Sequence, residues 1–224
     1  MYVLHYFPDT ASLAVRMVLA ELGVQHRCKL IDRQAGALNS PEYRAMQPLG
    51  LIPALETPNG PMFETAAILL YLFDKHPGLA PGPDAAERGD FLKWLFFTST
   101  NIHTTLLQLF YPERTAGEAC KDSVLTHAKA RMDLYLSTLD TAVAQSAGGN
   151  PGWMPHDRPS ILGYYIAMLL HWLGQFGADH PLQVHVTAYP ALLQVLTMLE
   201  AQHATQAIAE DEGLGPTPFT APLA

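Results

Sequence analysis

The sequence is poor in charge, and what it has leans one way. Of 224 residues only 15% are Asp, Glu, Lys or Arg, with 21 acidic against 13 basic side chains and a formal net charge of −8. Binding to nucleic acid needs a basic face that displaces counterions from phosphates, so this balance speaks against such a partner. A local basic pocket for a small anion stays open. Cysteine is scarcer still. Cys28 and Cys120 are the only two. They form no CxxC pair and no zinc spacing with His, so no metal and no disulfide scaffold is expected, and a reducing cytoplasm is. Long apolar runs are missing as well. The stretch Tyr164 to Leu170 falls far short of the roughly 20 residues of a membrane helix. The start, MYVLHYFPDTASLAVR, lacks the basic segment and long apolar stretch of a targeting signal. No membrane partner is expected. Apolar residues, at 49%, are the material present in quantity, enough for the core of one large domain or two compact ones.

The chain changes character near residue 77. Tyr2 to Phe7 is aromatic and β-branched and stops at Pro8, which reads as a strand. Leu13, Ala14, Met17, Val18 and Leu22 recur at helical spacing, with Ser12 placed to cap the helix and Gly23 to end it. Val24 to Asp32 is a second strand, and a short helix fits Pro41 to Met46. Leu51 to Thr57 reads as a third strand, Pro58-Asn59-Gly60-Pro61 as a turn in which Asn-Gly supplies positive φ, and Met62 to Glu64 as the return. Thr65 to Asp74 is a helix. The order β-α-β-α-β-β-α predicts one mixed sheet with helices packed on it. Pro53 falls inside the third strand, where a proline forfeits a ladder bond; a cis bond or a trans edge position both resolve this.

Pro77, Gly78, Pro81, Gly82 and Pro83 mark a linker. The patterns Ala85 to Gln108, Gly117 to Ala147, Ser160 to Gly174 and Tyr189 to Ile208 predict long helices, followed by an irregular tail from Gly213 to Ala224. The division is therefore an α/β domain over 1–77, a linker over 78–86 and an all-helical domain over 87–224.

Two segments carry more than a fold. Gln47-Pro48-Leu49-Gly50-Leu51-Ile52-Pro53-Ala54-Leu55, then Phe63-Glu64-Thr65-Ala66-Ala67-Ile68-Leu69-Leu70-Tyr71-Leu72, resemble the glutathione-binding half of soluble glutathione S-transferases, with N-P-x-G-x-V-P-A-L, a hairpin and E-S/T-x-A-I-x-x-Y-L. The linker and helical half fit the same resemblance, which so implies the glutathione S-transferase fold with its thioredoxin-like first domain. Pro8 to Ala14 resembles the P-G-A-C-S-L-A of the bacterial beta class, and Trp94 through His103 its W-x8-H. The resemblance implies glutathione as co-substrate, an apolar electrophile as second substrate and a homodimer. It implies a cis Ile52–Pro53 bond, with the Ile52 backbone pairing to glutathione like an added strand. Glu64 would meet the γ-glutamyl ammonium. Thr65, at a helix N-terminus, would meet its carboxylate, although an N-cap role alone also explains a threonine there.

The reacting species is the thiolate, whereas a free thiol has a pKa near 8.5. The site must therefore favour the charged sulfur. Ala11 stands where the beta class has cysteine, so mixed-disulfide chemistry at that position is excluded. The remaining donors are Ser12, Thr10 and Tyr6, each with a plain structural alternative as cap, loop hydroxyl or core aromatic. Asp9 would raise a nearby thiol pKa. The resemblance places His103 at the active site, with Thr104 where a lysine is usual. Leu49 and Leu51 replace polar residues, leaving Arg33 and Arg16 as candidate partners for the glycyl carboxylate. Phe97, Leu106, Leu107, Phe110 and Tyr111 are candidates for the second-substrate wall. Gly163 breaks a capping box begun by Ser160, a loss on the order of 1 kcal/mol. A glutathione transferase is the first reading. A ligand-binding protein of the same fold with little turnover, and a glutathione-dependent isomerase or lyase, are the alternatives.

Overall fold

The structure is a computed structural model that describes residues 1–177 and 180–223. Its first part runs β1 (Tyr2–Tyr6), α1 (Ser12–Glu21), β2 (His26–Leu30), α2 (Pro41–Met46), β3 (Ala54–Thr57), β4 (Gly60–Phe63) and α3 (Thr65–Lys75). This is the order predicted from the sequence. The strands form one sheet in the order β2-β1-β3-β4. β1 and β2 are parallel, which demands a crossover and explains α1. β3 runs antiparallel to both neighbours. These directions put the C-terminal ends of β1, β2 and β4 and the N-terminal end of β3 at one edge of the sheet.

Helices follow: α4 (Arg88–Phe97), a π-helical turn (Thr98–His103), α5 (Thr104–Phe110), α6 (Glu113–Ala116), α7 (Lys121–Gln145), α8 (Ile161–Leu173), α9 (Pro190–Glu200) and α10 (His203–Glu212). α8 is apolar around its whole circumference and is buried accordingly. The main core is continuous from Leu4, Leu13 and Ile68 to Leu136, Ile166 and Leu196. Contacts between the two parts are polar as well: Tyr164 donates its hydroxyl to Glu21 at 2.8 Å, and Arg16 binds Asp211 and Glu212 at the end of α10. Among the described residues no helix is long and apolar enough to cross a membrane.

Several expectations need correction. Ser12 does not cap α1: the cap position is Ala11, with no side-chain cap bond, and Ser12 is the first helical residue. The hairpin turns on Pro58 and Asn59, because Thr57 pairs with Gly60 and the positive φ belongs to Gly60 alone. Thr57 Oγ1 braces that turn, donating to the Gly60 carbonyl at 2.7 Å and accepting from the Asn59 N–H at 3.1 Å. The helix predicted over 189–208 is two helices, broken where Gln202 is extended at φ −74 and ψ 137. The break lets α10 turn onto α1. Gly163 is not merely a lost partner for Ser160. The Ser160 cap is intact, accepting the Gly163 N–H at 3.0 Å. A Cβ at 163 would lie 2.9 Å from Ser160 Oγ and 3.3 Å from Val195 Cγ1, so the glycine is what lets α8 and α9 approach. The tail is irregular as far as it is described, and its last residue, Ala224, lies outside the described residues.

Candidate functional site

The shared edge of the sheet gathers the candidate residues. Continuing the β1–β3 register, in which His5 faces Ala54, sets Phe7 beside Ile52. Continuing β3–β4, in which Ala54 faces Phe63, sets Thr65 on the other side of Ile52. Ile52 therefore sits between the loop that follows β1 and the helix that follows β4.

The main chain around Ile52 is held by its neighbours and leaves Ile52 itself free. Buried Gln47 accepts the Leu51 N–H at 3.1 Å, and Tyr43 donates its hydroxyl to the Leu51 carbonyl at 2.6 Å. Burial pushes the Tyr43 phenol up to about 12, so it remains a donor at any working pH. Arg44 grips the Pro48 carbonyl and Asn39 at 2.7 Å each, and fills the space a Cβ on Gly50 would need. The Ile52–Pro53 bond is cis, as the resemblance implies. Among the described residues neither the N–H nor the C=O of Ile52 finds a partner. Gln47, Tyr43 and Arg44 were not singled out as site residues from the sequence, because nothing in their spacing distinguishes a backbone clamp from ordinary surface polarity.

Glu64 and Thr65 occupy the start of α3. Glu64 has φ 72, a conformation costly for a side-chain-bearing residue and characteristic of positions kept for a purpose. Glu64 caps no N–H with its side chain, so the first-turn N–H groups of α3 stay available to an outside acceptor. Thr65 is largely buried, and among the described residues its hydroxyl makes no hydrogen bond.

The loop after β1 brings two of the three candidate hydroxyls together. Thr10 Oγ1 lies 2.8 Å from the Phe7 carbonyl and 2.8 Å from Ser12 Oγ, which is itself 3.2 Å from the same carbonyl. Three contacts share two hydroxyl protons. If Ser12 donates to Phe7, the Thr10 proton is free to point elsewhere. Ser12 is fully buried, whereas Thr10 reaches solvent. Tyr6 stands apart. Its ring lies 4.7 Å under the Arg16 guanidinium, and burial, with the charges of Asp211, Cys28 and Glu212, raises its phenol against the opposing pull of Arg16. Arg16 is committed there too and is not at the groove. Arg33, by contrast, stacks 5.0 Å over Phe7 at the groove's edge. Leu49 and Leu51 are exposed.

His103 approaches from the helical side. It ends the π-helical turn, and its Nδ1 lies 2.9 Å from the Tyr165 hydroxyl. Burial lowers its pKa to about 4, so the ring is neutral at physiological pH. Burial, with the Glu64 charge nearby, raises the Tyr165 phenol well above its ordinary value, so it stays protonated. A Tyr165 O–H donating to Nδ1 leaves the His103 ring proton on Nε2.

The proposed apolar wall divides. Leu106 is fully buried, and Phe97 packs on Trp94 and Tyr135. Leu107, Phe110 and Tyr111 are exposed. Phe110 continues into Trp172 at 6.4 Å and Phe176 at 4.8 Å, two aromatics from another helix and its end that local spacing did not point to. Cavities of about 520 and 340 Å³ lie along the C-terminal tail, lined by residues such as Thr205 and Ala209 or Leu170 and Val184, away from this edge. The chemistry-bearing groups gather at the sheet edge instead. Among the described residues no cluster of His, Cys, Asp and Glu is placed to hold a metal ion.

Residues 1–74 match the family described as glutathione S-transferase, N-terminal domain. Glutathione S-transferase GST-4.5 of Xanthomonas campestris pv. campestris is 26% identical over 209 residues, covering 92% of this chain and 97% of that protein. A sphingomonad glutathione S-transferase complexed with glutathione superposes with a TM-score of 0.74 at 25% identity, over 95% of this chain and 100% of that one. A bacterial beta class glutathione S-transferase from Sphingomonas chungbukensis gives 0.72 at 25% identity, with the same coverage.

Proposed function

The chain belongs to the glutathione S-transferase family, and from that premise we propose that it binds glutathione along Ile52 and transfers the thiolate to an apolar electrophile. The observation that carries this is the unpaired Ile52 main chain set between the Thr10 loop and the open N-terminus of α3. An extended peptide can add to such an edge as a strand. Glu64 then takes the γ-glutamyl ammonium. Thr65 and the first-turn N–H groups take its carboxylate. Arg33, stacked on Phe7, is the cation we assign to the glycyl end, with Leu49 and Leu51 supplying apolar contact. We assign residues 1–77 as the glutathione-binding domain, 78–86 as the linker and 87–224 as the helical domain.

For the chemistry, we assign Thr10 as the donor to the sulfur, since Thr10 is partly exposed while Ser12 is buried and can satisfy Phe7 in its place. A hydroxyl hydrogen-bonded to the thiolate favours the charged form and lowers the thiol pKa. The thiol proton leaves to solvent. The sulfur then bonds to the electrophilic carbon as the leaving group departs or the acceptor double bond takes up the electron pair. Neutral His103 has no positive charge to offer and serves as a polar contact at the groove. Leu107, Phe110, Tyr111, Trp172 and Phe176 receive the electrophile's apolar body. A homodimer in the cytoplasm completes the proposal, and the exposed Phe63 and Phe96 offer apolar surface for the pairing.

Calorimetry with glutathione, followed by ultraviolet thiolate titration of the complex, tests this reading. Binding with a bound-thiol pKa below the free value of about 8.5 is expected. Binding with an unshifted thiol would convert the reading to a ligand-binding protein, and no binding would remove it.

A further inference from the structure

Asp9 was expected to oppose catalysis, yet the structure turns its carboxylate away from the groove and into the helical half. Asp9 Oδ1 accepts the Trp172 indole N–H at 2.8 Å and lies 3.1 Å from His171 Nε2, while Oδ2 accepts from the Gln175 amide at 2.9 Å. The Asp9 N–H donates to Glu212 at 2.9 Å, and the other Glu212 oxygen holds Arg16 at 2.8 Å. His171 is buried and anchored behind by the Pro218 carbonyl, 2.5 Å from Nδ1. Asp9 itself has φ 52, a left-handed conformation that glycine takes freely and Asp tolerates. Burial alone would raise this carboxyl; the bonds from His171, Gln175 and Trp172 outweigh it and hold it below its usual value. Among the described residues, no other member of the Phe7–Ser12 loop is tied to the helical half by so many bonds.

We infer that Asp9 is a positioning residue: by clamping the loop to Trp172 and Gln175 it fixes the Thr10 hydroxyl where the thiolate must lie. The inference rests on the transferase reading above. Its chemical sense is twofold. The clamp turns the carboxylate toward donors of the helical half, which weakens its charge at the sulfur. It also removes the freedom of a loop whose displacement by about 1 Å would cost up to about a hundredfold in rate.

Asp9→Gly keeps the backbone conformation and deletes the clamp. Gln175→Met removes one donor at similar volume and serves if Asp9→Gly fails to fold, which thermal melting reports. In Asp9→Gly, kcat at saturating substrates falls at least about tenfold, the glutathione Kd changes less than about threefold, and the bound-thiol pKa rises toward that of free glutathione. Gln175→Met shifts both quantities the same way and less. Asp9→Asn, which can still accept from Trp172, restores part of the rate. A purely structural Asp9 would lower stability without moving the thiol pKa. An active wild type with Asp9→Gly, or failing that Gln175→Met, unchanged in kcat and thiol pKa overturns the inference and leaves the transferase reading intact. A wild type that binds no glutathione removes both.

Discussion

Lowering the pH should unfold this protein through His103 before it does so through most of its carboxylates. Burial depresses the His103 pKa to about 4, against about 6.5 in an unfolded chain. Between those values the unfolded state binds a proton that the folded state refuses. Stability therefore falls as pH drops from about 6.5 to about 4 and is insensitive to this residue outside that window. The gap of pKa, at about 1.4 kcal/mol per pH unit, sets an upper value of roughly 3 kcal/mol, most of it already lost at about pH 4.5. The perturbation is His103→Gln, which keeps a polar group near Tyr165 and removes the titration. Urea unfolding of both proteins at about pH 7.5 and about pH 4.5 isolates the effect, since every other group titrates in both. The wild type should lose roughly 2–3 kcal/mol more than the variant over that interval. Equal losses would refute the reasoning and mean that His103 takes up its proton as readily folded as unfolded.

Tyr43→Phe removes the phenol that holds the Leu51 carbonyl. It should cost about 1–3 kcal/mol for the orphaned acceptor and weaken glutathione binding, as calorimetry would show. Gly163→Ala, ordinarily favourable in a helix, should destabilise by about 1–3 kcal/mol because its methyl meets Ser160 and Val195; a raised melting temperature would contradict the packing account. Thr10→Val should depress kcat well beyond its effect on glutathione affinity, while Ser12→Ala, whose hydroxyl is buried, should lose less turnover than Thr10→Val. The reverse order in steady-state kinetics would reassign the sulfur donor.

Much of the first part was legible because its signals are local. The aromatic and β-branched run from Tyr2 to Phe7, helical spacing from Leu13 and the turn chemistry near Asn59 each require only neighbours in sequence. The gathering of Thr10, Ile52, Glu64 and Thr65 was legible only through family resemblance. No spacing rule says that three segments meet at one sheet edge; the strand directions do. Features set by distant partners escaped. Asp9 looked like an unwelcome charge because its partners on α8 and just beyond it lie more than 160 residues away. Gly163 looked like a deficit because the helix occupying its missing side-chain space, α9, comes thirty residues later. The break at Gln202 carries no proline or glycine, and only docking of α10 on α1 accounts for it. Sequence also could not separate exposed Phe110 and Tyr111 from buried Leu106, since one turn of helix contributes to both the wall and the interior.

The wide turn from Thr98 to His103 has a consequence for how this helix can change over generations. A π-helical turn adds one residue to the i→i−4 pattern, and each residue rotates the helix by about 100°. Everything downstream is thereby rephased relative to Phe91 and Leu95. A single-codon deletion at Thr100 would restore the ordinary winding, swing the imidazole off Tyr165 and carry Leu107 and Phe110 round with it. The bulge works as a vernier: the outer face of α5 can be re-aimed in one step, while the anchored stretch before it keeps its seat.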